Sequence, residues 1–349
     1  MNSIFQNDLE EIISTPLIDW EELRNKKIFI TGATGLIGSI LVKAIILKNK
    51  KEKLDIKLIL LVRNKKEAEK IFGEENIEYI ISSIEKYKPT NLEIDYIIHG
   101  ASPTKSKYFI EKPVETIDIS VIGTKNILEQ AKISNIKSMV YLSSMEMYGV
   151  LDEQNVTEDR QGYIDPLNTR STYSQGKRIC ELYNFCYFKE YNLPTKIARI
   201  AQTFGAGISE KENRVYRVFA DSVIEKKDII LKSEGTTIVN FSYTTDTVIG
   251  LLYILLNGKE GEAYNLVSDK NNMTILDSAK WLAETYGDGK VNVKIELPTY
   301  ETGFAPNNKM ILNNEKLKKI GWNCKYNIKQ GYDRLIKYLQ EEKEKKNDR

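Results

Sequence analysis

Tyr173 and Lys177, four residues apart in Tyr173-Ser-Gln-Gly-Lys177, put a phenol and an ammonium on one face of a helix. A phenol has a reference pKa of about 10, too high for a base at neutral pH. A neighbouring ammonium and a positively charged cofactor ring favour its phenolate. Such a pair can take or give a carbinol proton while hydride moves. Far upstream, Thr31-Gly-Ala-Thr-Gly-Leu-Ile-Gly38 follows a short apolar run, Lys27-Ile-Phe-Ile30, and opens an apolar helix. In that context Gly32 permits a tight turn, Gly35 lets backbone approach a pyrophosphate, and Gly38 lets helix and strand pack closely. The helix start offers free N–H groups and a positive dipole end to phosphates. Together the two motifs point to hydride transfer with a nicotinamide dinucleotide. Ser144, ending Leu142-Ser-Ser144, is placed to hydrogen-bond the reacting oxygen, with Ser143 the weaker choice.

Composition removes other chemistries. The single histidine, His99, excludes HExxH and multi-histidine zinc sites, and no metal is expected. Proton transfer then falls to Tyr, Lys, Glu, Asp or Ser. Cys180, Cys186 and Cys324 show no CxxC spacing and fit a reducing compartment. Lys+Arg 51 against Asp+Glu 49 leaves a net charge of +2, which argues against a nucleic-acid surface. The first residues lack a basic n-region and an apolar h-region, and no apolar stretch is long enough to span a bilayer. A cytoplasmic location is the expectation.

The elements that must position these groups alternate. Apolar runs at 27–30, 56–62, 77–81, 96–98, 138–142 and 194–200 read as strands, with helical patterns between them. That alternation predicts an α/β fold with a doubly wound parallel sheet over residues 26–205. Residues 1–25 read as an N-terminal extension whose helix starts at Asp19-Trp-Glu-Glu22. Runs at 240–243 and 262–267 read as strands of a segment, about 236–267, that returns to the main sheet. Residues 206–235 and 268–349 are expected to form a smaller mixed α/β substrate lobe, with a cleft between the lobes.

The second strand ends Leu61-Val62-Arg63-Asn64 with no carboxylate to bind a ribose 2′-hydroxyl. Arg63 can hold a 2′-phosphate, so NADP(H) is favoured, with NAD as the alternative.

The chain resembles the extended short-chain dehydrogenases/reductases of the NAD-dependent epimerase/dehydratase family, which act on nucleotide sugars. The likeness rests on the two motifs above and on Ile98-His-Gly-Ala-Ser102, Gly123-Thr-Lys-Asn126, Leu142-Ser-Ser-Met-Glu-Met-Tyr-Gly149, Ala198-Arg-Ile-Ala-Gln-Thr-Phe-Gly205 and Ile320-Gly-Trp322. By motif it is most similar to UDP-glucuronate decarboxylases. The resemblance implies a Rossmann-like fold and makes Glu146 a candidate acid/base beside Ser144, Tyr173 and Lys177. It implies cofactor contacts from Gly32, Thr34, Gly35, Leu36, Ile37, Gly38, Arg63, Asn64, Ser83, Ile84, Gly100, Ala101, Ser102, Tyr173, Lys177, Ala201 and Thr203. It implies substrate contacts from Thr104, Lys105, Met145, Gln202 and Arg214, and makes His99 a strand-end structural residue. It also implies a homodimer through paired helices, and the Tyr173 helix carries Ile179, Leu182, Phe185, Tyr187 and Phe188. Some family positions differ: Ser82-Ser83, Ser120, Gln202 and Met145 replace the usual polar or acidic residues. Val239-Asn240 stand where an arginine commonly holds the substrate diphosphate.

Two enzymatic readings follow. Arg63 and the altered substrate positions favour an NADPH-dependent reductase of a nucleotide-linked keto-sugar in surface-polysaccharide synthesis, forming a deoxysugar or alditol. The alternative is a redox-neutral decarboxylase, 4,6-dehydratase or 4-epimerase with tightly held NAD, which Glu146 supports. A non-enzymatic dinucleotide sensor would have no use for the intact Ser144, Tyr173 and Lys177.

Overall fold

In the computed structural model, residues 2–270, 272–297 and 308–347 are described, so part of the expected substrate lobe lies outside them. Seven parallel strands form the main sheet: β1 (Lys27–Thr31), β2 (Lys57–Val62), β3 (Ile77–Ile81), β4 (Tyr96–His99), β5 (Ser138–Ser144), β6 (Thr195–Ile200) and, late in the chain, β11 (Ala263–Leu266). Their order is β11-β6-β5-β4-β1-β2-β3. The chain reverses its direction of travel across the sheet at β1, which pairs with β2 on one side and β4 on the other. A ligand crevice opens at such a switch point, outside the carboxyl ends of the strands. Strands covered on both faces read as unbroken apolar runs, as β1 and β2 do.

Helices cover both faces: α2 (Leu36–Glu52), α3 (Lys65–Phe72), α4 (Ser106–Glu111), α5 (Pro113–Ser134), α6 (Ser171–Tyr191) and α8 (Thr244–Asn257). Helix α1 (Ser3–Ser14) precedes the sheet. Its start is capped by Asn2, whose side chain accepts from the backbone N–H groups of Ile4 and Phe5. The helix start expected at Asp19 is only a 3₁₀ turn over Glu21–Leu23, because Asp19 accepts a single backbone N–H, that of Glu21. Phe5, Leu9, Ile12 and Ile13 of α1 bury in the same core as α2 and α8.

A second core gathers around α7 (Val215–Ile224), α9 (Ile275–Tyr286) and α11 (Ile328–Asn347), with Phe204, Tyr216, Phe241 and Tyr332 at its centre. Short strand pairs knit it: β7 (Gln202–Phe204) with β10 (Phe241–Tyr243), β8 (Ile229–Leu231) with β13 (Val293–Ile295), and β9 (Ile238–Val239) with β12 (Met273–Thr274). The run at 240–243 therefore does not join the main sheet. It pairs with Gln202–Phe204, a strand that a one-residue break separates from β6. The run at 262–267 does join it, beside β6. Leu317 of α10 (Glu315–Lys319) is buried in the sheet-side core, and after a turn at Gly321, φ +116°, Trp322 and Cys324 join it there. No helix among the described residues is long and apolar enough to cross a membrane.

Trp322 is fully buried and anchors the segment after α10 in the sheet-side core. Trp322→Ala is expected to cost about 3–5 kcal/mol, the range for emptying a buried aromatic site, as read by urea unfolding. A loss below about 1 kcal/mol would mean that this segment does not carry the packing assigned to it.

Candidate active site

The glycine turn is shaped by what surrounds it. A Cβ on Gly32, φ +74°, would meet the Gly100 carbonyl carbon at 2.7 Å and the Ala101 nitrogen at 2.8 Å. A Cβ on Gly38 would meet the Gly32 carbonyl oxygen at 2.3 Å. The turn, the end of β4 and the first turn of α2 thus touch backbone to backbone. Thr31 locks them together, its hydroxyl accepting from the N–H groups of Gly100 and Ala101 and bonding His99 Nδ1 at 2.8 Å. Helix α2 begins at Gly35 with no side chain capping it, which leaves its first N–H groups for an anion. This cradle fits the pyrophosphate of a dinucleotide. His99 also bonds Thr124 through Nε2 at 3.0 Å, and burial with the charge of Lys177 holds its pKa down at about 3. It is a neutral strut between β4 and α5.

Helix α6 approaches α5 so closely that a Cβ on Gly176 would lie 3.2 Å from that of Ser120. The helix thereby sets Tyr173 and Lys177 over the end of β5. Lys177 Nζ donates to the Leu142 carbonyl at 2.6 Å and lies 5.7 Å from the Tyr173 ring centroid, so it flanks the phenol without bonding it. Burial pushes its pKa down to about 8, against the pull of Cys180 and Glu181.

Tyr173 stacks on Phe109 of α4, centroids 4.6 Å apart and planes 9° from parallel. Burial and the negative charge of Glu146 push its phenol up to about 12, while a hydrogen bond with Ser144 and the charges of Arg170 and Arg214 pull it back. Four sequence-expected residues, Ser144, Glu146, Lys177 and Arg214, therefore converge on Tyr173. Alternation along β5 separates the two serines: Ser144 faces Tyr173, and Ser143 turns away to donate to Glu181 Oε1 at 2.5 Å.

Glu146 lies in a 3₁₀ turn, Met145–Tyr148, whose start is capped by Ser144 Oγ accepting from the Glu146 N–H. Arg170 Nη2 reaches both of its carboxylate oxygens, at 3.2 and 2.9 Å, and Ser174 donates to one at 3.4 Å. Arg214, just ahead of α7, is held by Glu212, with contacts of 3.0 and 2.5 Å. Burial would raise the Glu212 carboxyl, yet Arg214 keeps it down at about 2.

The remaining expected residues divide. Thr34, Leu36 and Ile37 sit in the glycine cradle, and Ser102, Thr104 and Lys105 follow β4 on the loop into α4. Met145 begins the Glu146 turn, and Gln202 begins β7. Arg63 is exposed at the end of β2. Several side chains are already engaged. Asn64 caps α3 through the Glu67 N–H, and Ser83 donates to Glu85 at 2.6 Å. Ile84 packs under Gly123, and Thr203 donates to the Ala201 carbonyl at 3.1 Å. These positions offer a ligand their backbone more readily than their side chains. Arg170 and Phe109 escaped the sequence reading. Arg170 precedes Tyr173 by three residues, so helical spacing carried its signal; Phe109 comes from a separate short helix and carried none.

A profile described as the NAD dependent epimerase/dehydratase family matches residues 28–266. The chain belongs to this family. It is an enzyme of the extended short-chain dehydrogenase/reductase type, NAD(P)-dependent, as the cradle and the Tyr–Lys pair require. UDP-glucuronic acid decarboxylase 1 of Xenopus tropicalis is 26% identical over 323 residues, covering 93% of this chain and 74% of that protein. UDP-glucuronic acid decarboxylase 6 of Arabidopsis thaliana is 28% identical over 307 residues, covering 88% of this chain and 87% of that one. Among solved structures, an epimerase of Methanothermobacter thermautotrophicus superposes with a TM-score of 0.78 at 20% identity, covering 96% of this chain and 98% of that one. The dTDP-glucose 4,6-dehydratase of Streptomyces venezuelae, solved with NAD bound, gives 0.73 at 19% identity, covering 91% and 98%.

The buried ammonium makes a signed prediction. Lys177 is held at about 8 folded and returns to its ordinary value of 10.5 when unfolded. Between those values the unfolded chain binds more protons, so this group makes stability rise with pH across that window. Below it, the group costs a constant amount. Lys177→Met is expected to lose turnover about 10²-fold or more, yet to resist urea at least as well as the parent at neutral pH. Its advantage should shrink from pH 8 toward 10.5. An advantage that grew with pH would show that the ammonium is not desolvated.

Proposed function

We propose that the chain is a redox-neutral nucleotide-sugar enzyme of the decarboxylase, 4,6-dehydratase or 4-epimerase class, working on a UDP-sugar. The observation that carries this reading is Glu146, a carboxylate whose charge acts on the Tyr173 phenol from a turn built at the end of β5. A simple ketone reductase needs Ser144, Tyr173 and Lys177; it has no use for a second acid/base beside them. The redox-neutral class therefore accounts for more of the site than the NADPH-dependent reductase does, and the relatives named above are decarboxylases, an epimerase and a dehydratase.

The residues divide the work. The glycine cradle, with Lys177 beneath the nicotinamide ribose, would hold the cofactor. Bound there, the oxidised nicotinamide accepts and returns the hydride and adds a positive charge that favours the phenolate. Tyr173 takes the carbinol proton and gives it back, and Ser144 orients the same oxygen. In decarboxylation or dehydration Glu146 would move a proton at a neighbouring ring carbon; a 4-epimerase would need only the Tyr173 proton. Arg214 is the cation available to the diphosphate, since Val239 offers no charge. The described parts of 206–235 and 268–349 would supply the substrate side of the cleft. A cycle that never exchanges its hydride with a reducing pool favours NAD; Arg63 remains the argument for NADP.

UDP-glucuronate is the first substrate to try. Purified enzyme is expected to convert it, or another UDP-sugar, with no added dinucleotide and no net change in nicotinamide absorbance. Tyr173→Phe should lower turnover by 10²–10⁴-fold with cofactor retained. Stoichiometric consumption of added NADPH would overturn the reading in favour of the reductase.

We further infer that two copies pair through α5 and α6. Val114, Ile117 and Ile122 on α5 and Ile179, Leu182 and Phe185 on α6 are exposed apolar side chains, Val114 by 65% and Leu182 by 55%. Of the residues expected on that face, Tyr187 turns inward, buried against the sheet, and Phe188 packs at Gly261. Cys186 is exposed on α6 among the outward set. Leu182→Glu is expected to halve the mass measured by sedimentation while leaving the fold intact, and to unmask Cys186 to maleimide. Equal mass and equal labelling in both proteins would exclude this interface.

A further inference from the structure

Arg170 has an environment that helix capping does not require. It is 9% exposed at the position preceding α6, and its own N–H bonds the Asn168 side chain. Its guanidinium lies 5.1 Å from the centroid of Phe109, the ring on which Tyr173 stacks. Nη2 spans the two oxygens of Glu146, whereas buried Nε has no acceptor among the described residues. A guanidinium kept in a low-dielectric site with a donor unsatisfied is expensive if its role is only to hold the fold. The charged and titratable groups that act with it on the Tyr173 phenol come from three elements: Glu146 from the turn after β5, Lys177 from α6 itself, and Arg214 from the start of α7.

We propose that Arg170 is a positioning residue for the acid/base step: it fixes the Glu146 carboxylate beside Tyr173 and neutralises it there, so that phenolate and carboxylate can occupy one site. The argument is electrostatic. Two anions packed together oppose each other's ionisation, and Glu146 does push the Tyr173 phenol up. Arg170 acts on the same phenol with the opposite sign. Without Arg170, Glu146 would swing on a partly exposed turn with only the long Ser174 contact, and its charge would bear on Tyr173 uncompensated. The inference rests on the redox-neutral reading, in which Glu146 is an acid/base.

A double-mutant cycle tests it on the holoenzyme with the UDP-sugar that is turned over. Arg170→Ala should lower kcat about 10²-fold with KM changed less than about threefold, and should move the acid limb of the pH–rate profile upward by about one unit as Tyr173, the base, loses a cation. Arg170→Lys should recover about tenfold of the loss, since a point charge restores compensation but not the two-oxygen geometry. If the alanine variant does not fold, the lysine variant alone answers through its kcat and its limb. Glu146→Gln should lower kcat comparably, and Arg170→Ala in that background should add less than about threefold, because an arginine that acts through Glu146 has nothing left to position. Multiplicative losses, or an unmoved acid limb, would overturn the role while leaving the redox-neutral reading intact. Full activity of Glu146→Gln would overturn both. Net NADPH consumption with the cycle still coupled would overturn the reading alone.

Discussion

One buried ion pair decides where the catalytic helix sits. Arg199 of β6 meets Glu181 of α6 at 2.7 Å, with each side chain 8% exposed. Glu181 also receives the Ser143 hydroxyl, so β5, β6 and α6 are tied at one point. Arg199 reaches on to the Tyr148 hydroxyl and the Glu158 carbonyl, and Tyr148 passes the chain of bonds to Asn265 of β11. Replacing such a pair with packed apolar residues often costs nothing, whereas removing one partner costs about 3–5 kcal/mol. Its value lies in registration more than in stability. The turn that carries Glu146 hangs from Tyr148 at one end and Ser144 at the other. Arg178 fastens it to α6 by donating to the Met147 and Tyr148 carbonyls. Tyr173 and Glu146 come from successive elements, α6 and the turn after β5, and this network holds them in one frame.

The same frame keeps polar groups where burial penalises them. Lys177 is desolvated, the Tyr173 phenol is raised, and Arg170 keeps a donor unmet. None of these makes the fold more stable. They are tolerated because two apolar cores, one under the sheet and one around α7, α9 and α11, supply the stability. A raised phenol is protonated at rest, so the resting site is set to donate. On the proposed reading it would act as a base once the positive charge of a bound cofactor was added to that of Lys177.

What could be read in the sequence follows from how local each signal is. The glycine turn, the Tyr–Lys spacing and the continuous apolar strands are short-range patterns, and they appear in the fold at their expected places. Helix α1 was misplaced because its cap is Asn2, whereas Asp19 looked the better start and produces only a 3₁₀ turn. The pairing of Gln202–Phe204 with Phe241–Tyr243 was invisible, since both strands are three residues long and their contact spans distant sequence. Arg63 is a weaker signal of another kind. One exposed arginine at a strand end speaks for NADPH, whereas the half-buried carboxylate of Glu146, paired with its arginine, says more about the reaction.

Charge at the site constrains the substrate. Three cations, Lys177, Arg170 and Arg214, face two carboxylates, Glu146 and Glu212. Each carboxylate is already paired with an arginine, and the remaining cation is the lysine that donates to the Leu142 carbonyl. On the proposed reading, an arriving diphosphate would meet no unpaired guanidinium among these three cations. Arg214 is 40% exposed at its side chain, so an anion can approach it, but Glu212 occupies its Nε and Nη2 edge. On the proposed reading, a diphosphate there would share that arginine through its remaining donors or displace the carboxylate. In either case part of the electrostatic gain would be offset, and more of the affinity would have to come from the rest of the substrate. That allocation suits an enzyme whose binding energy is better realised at the reacting ring than on the phosphates.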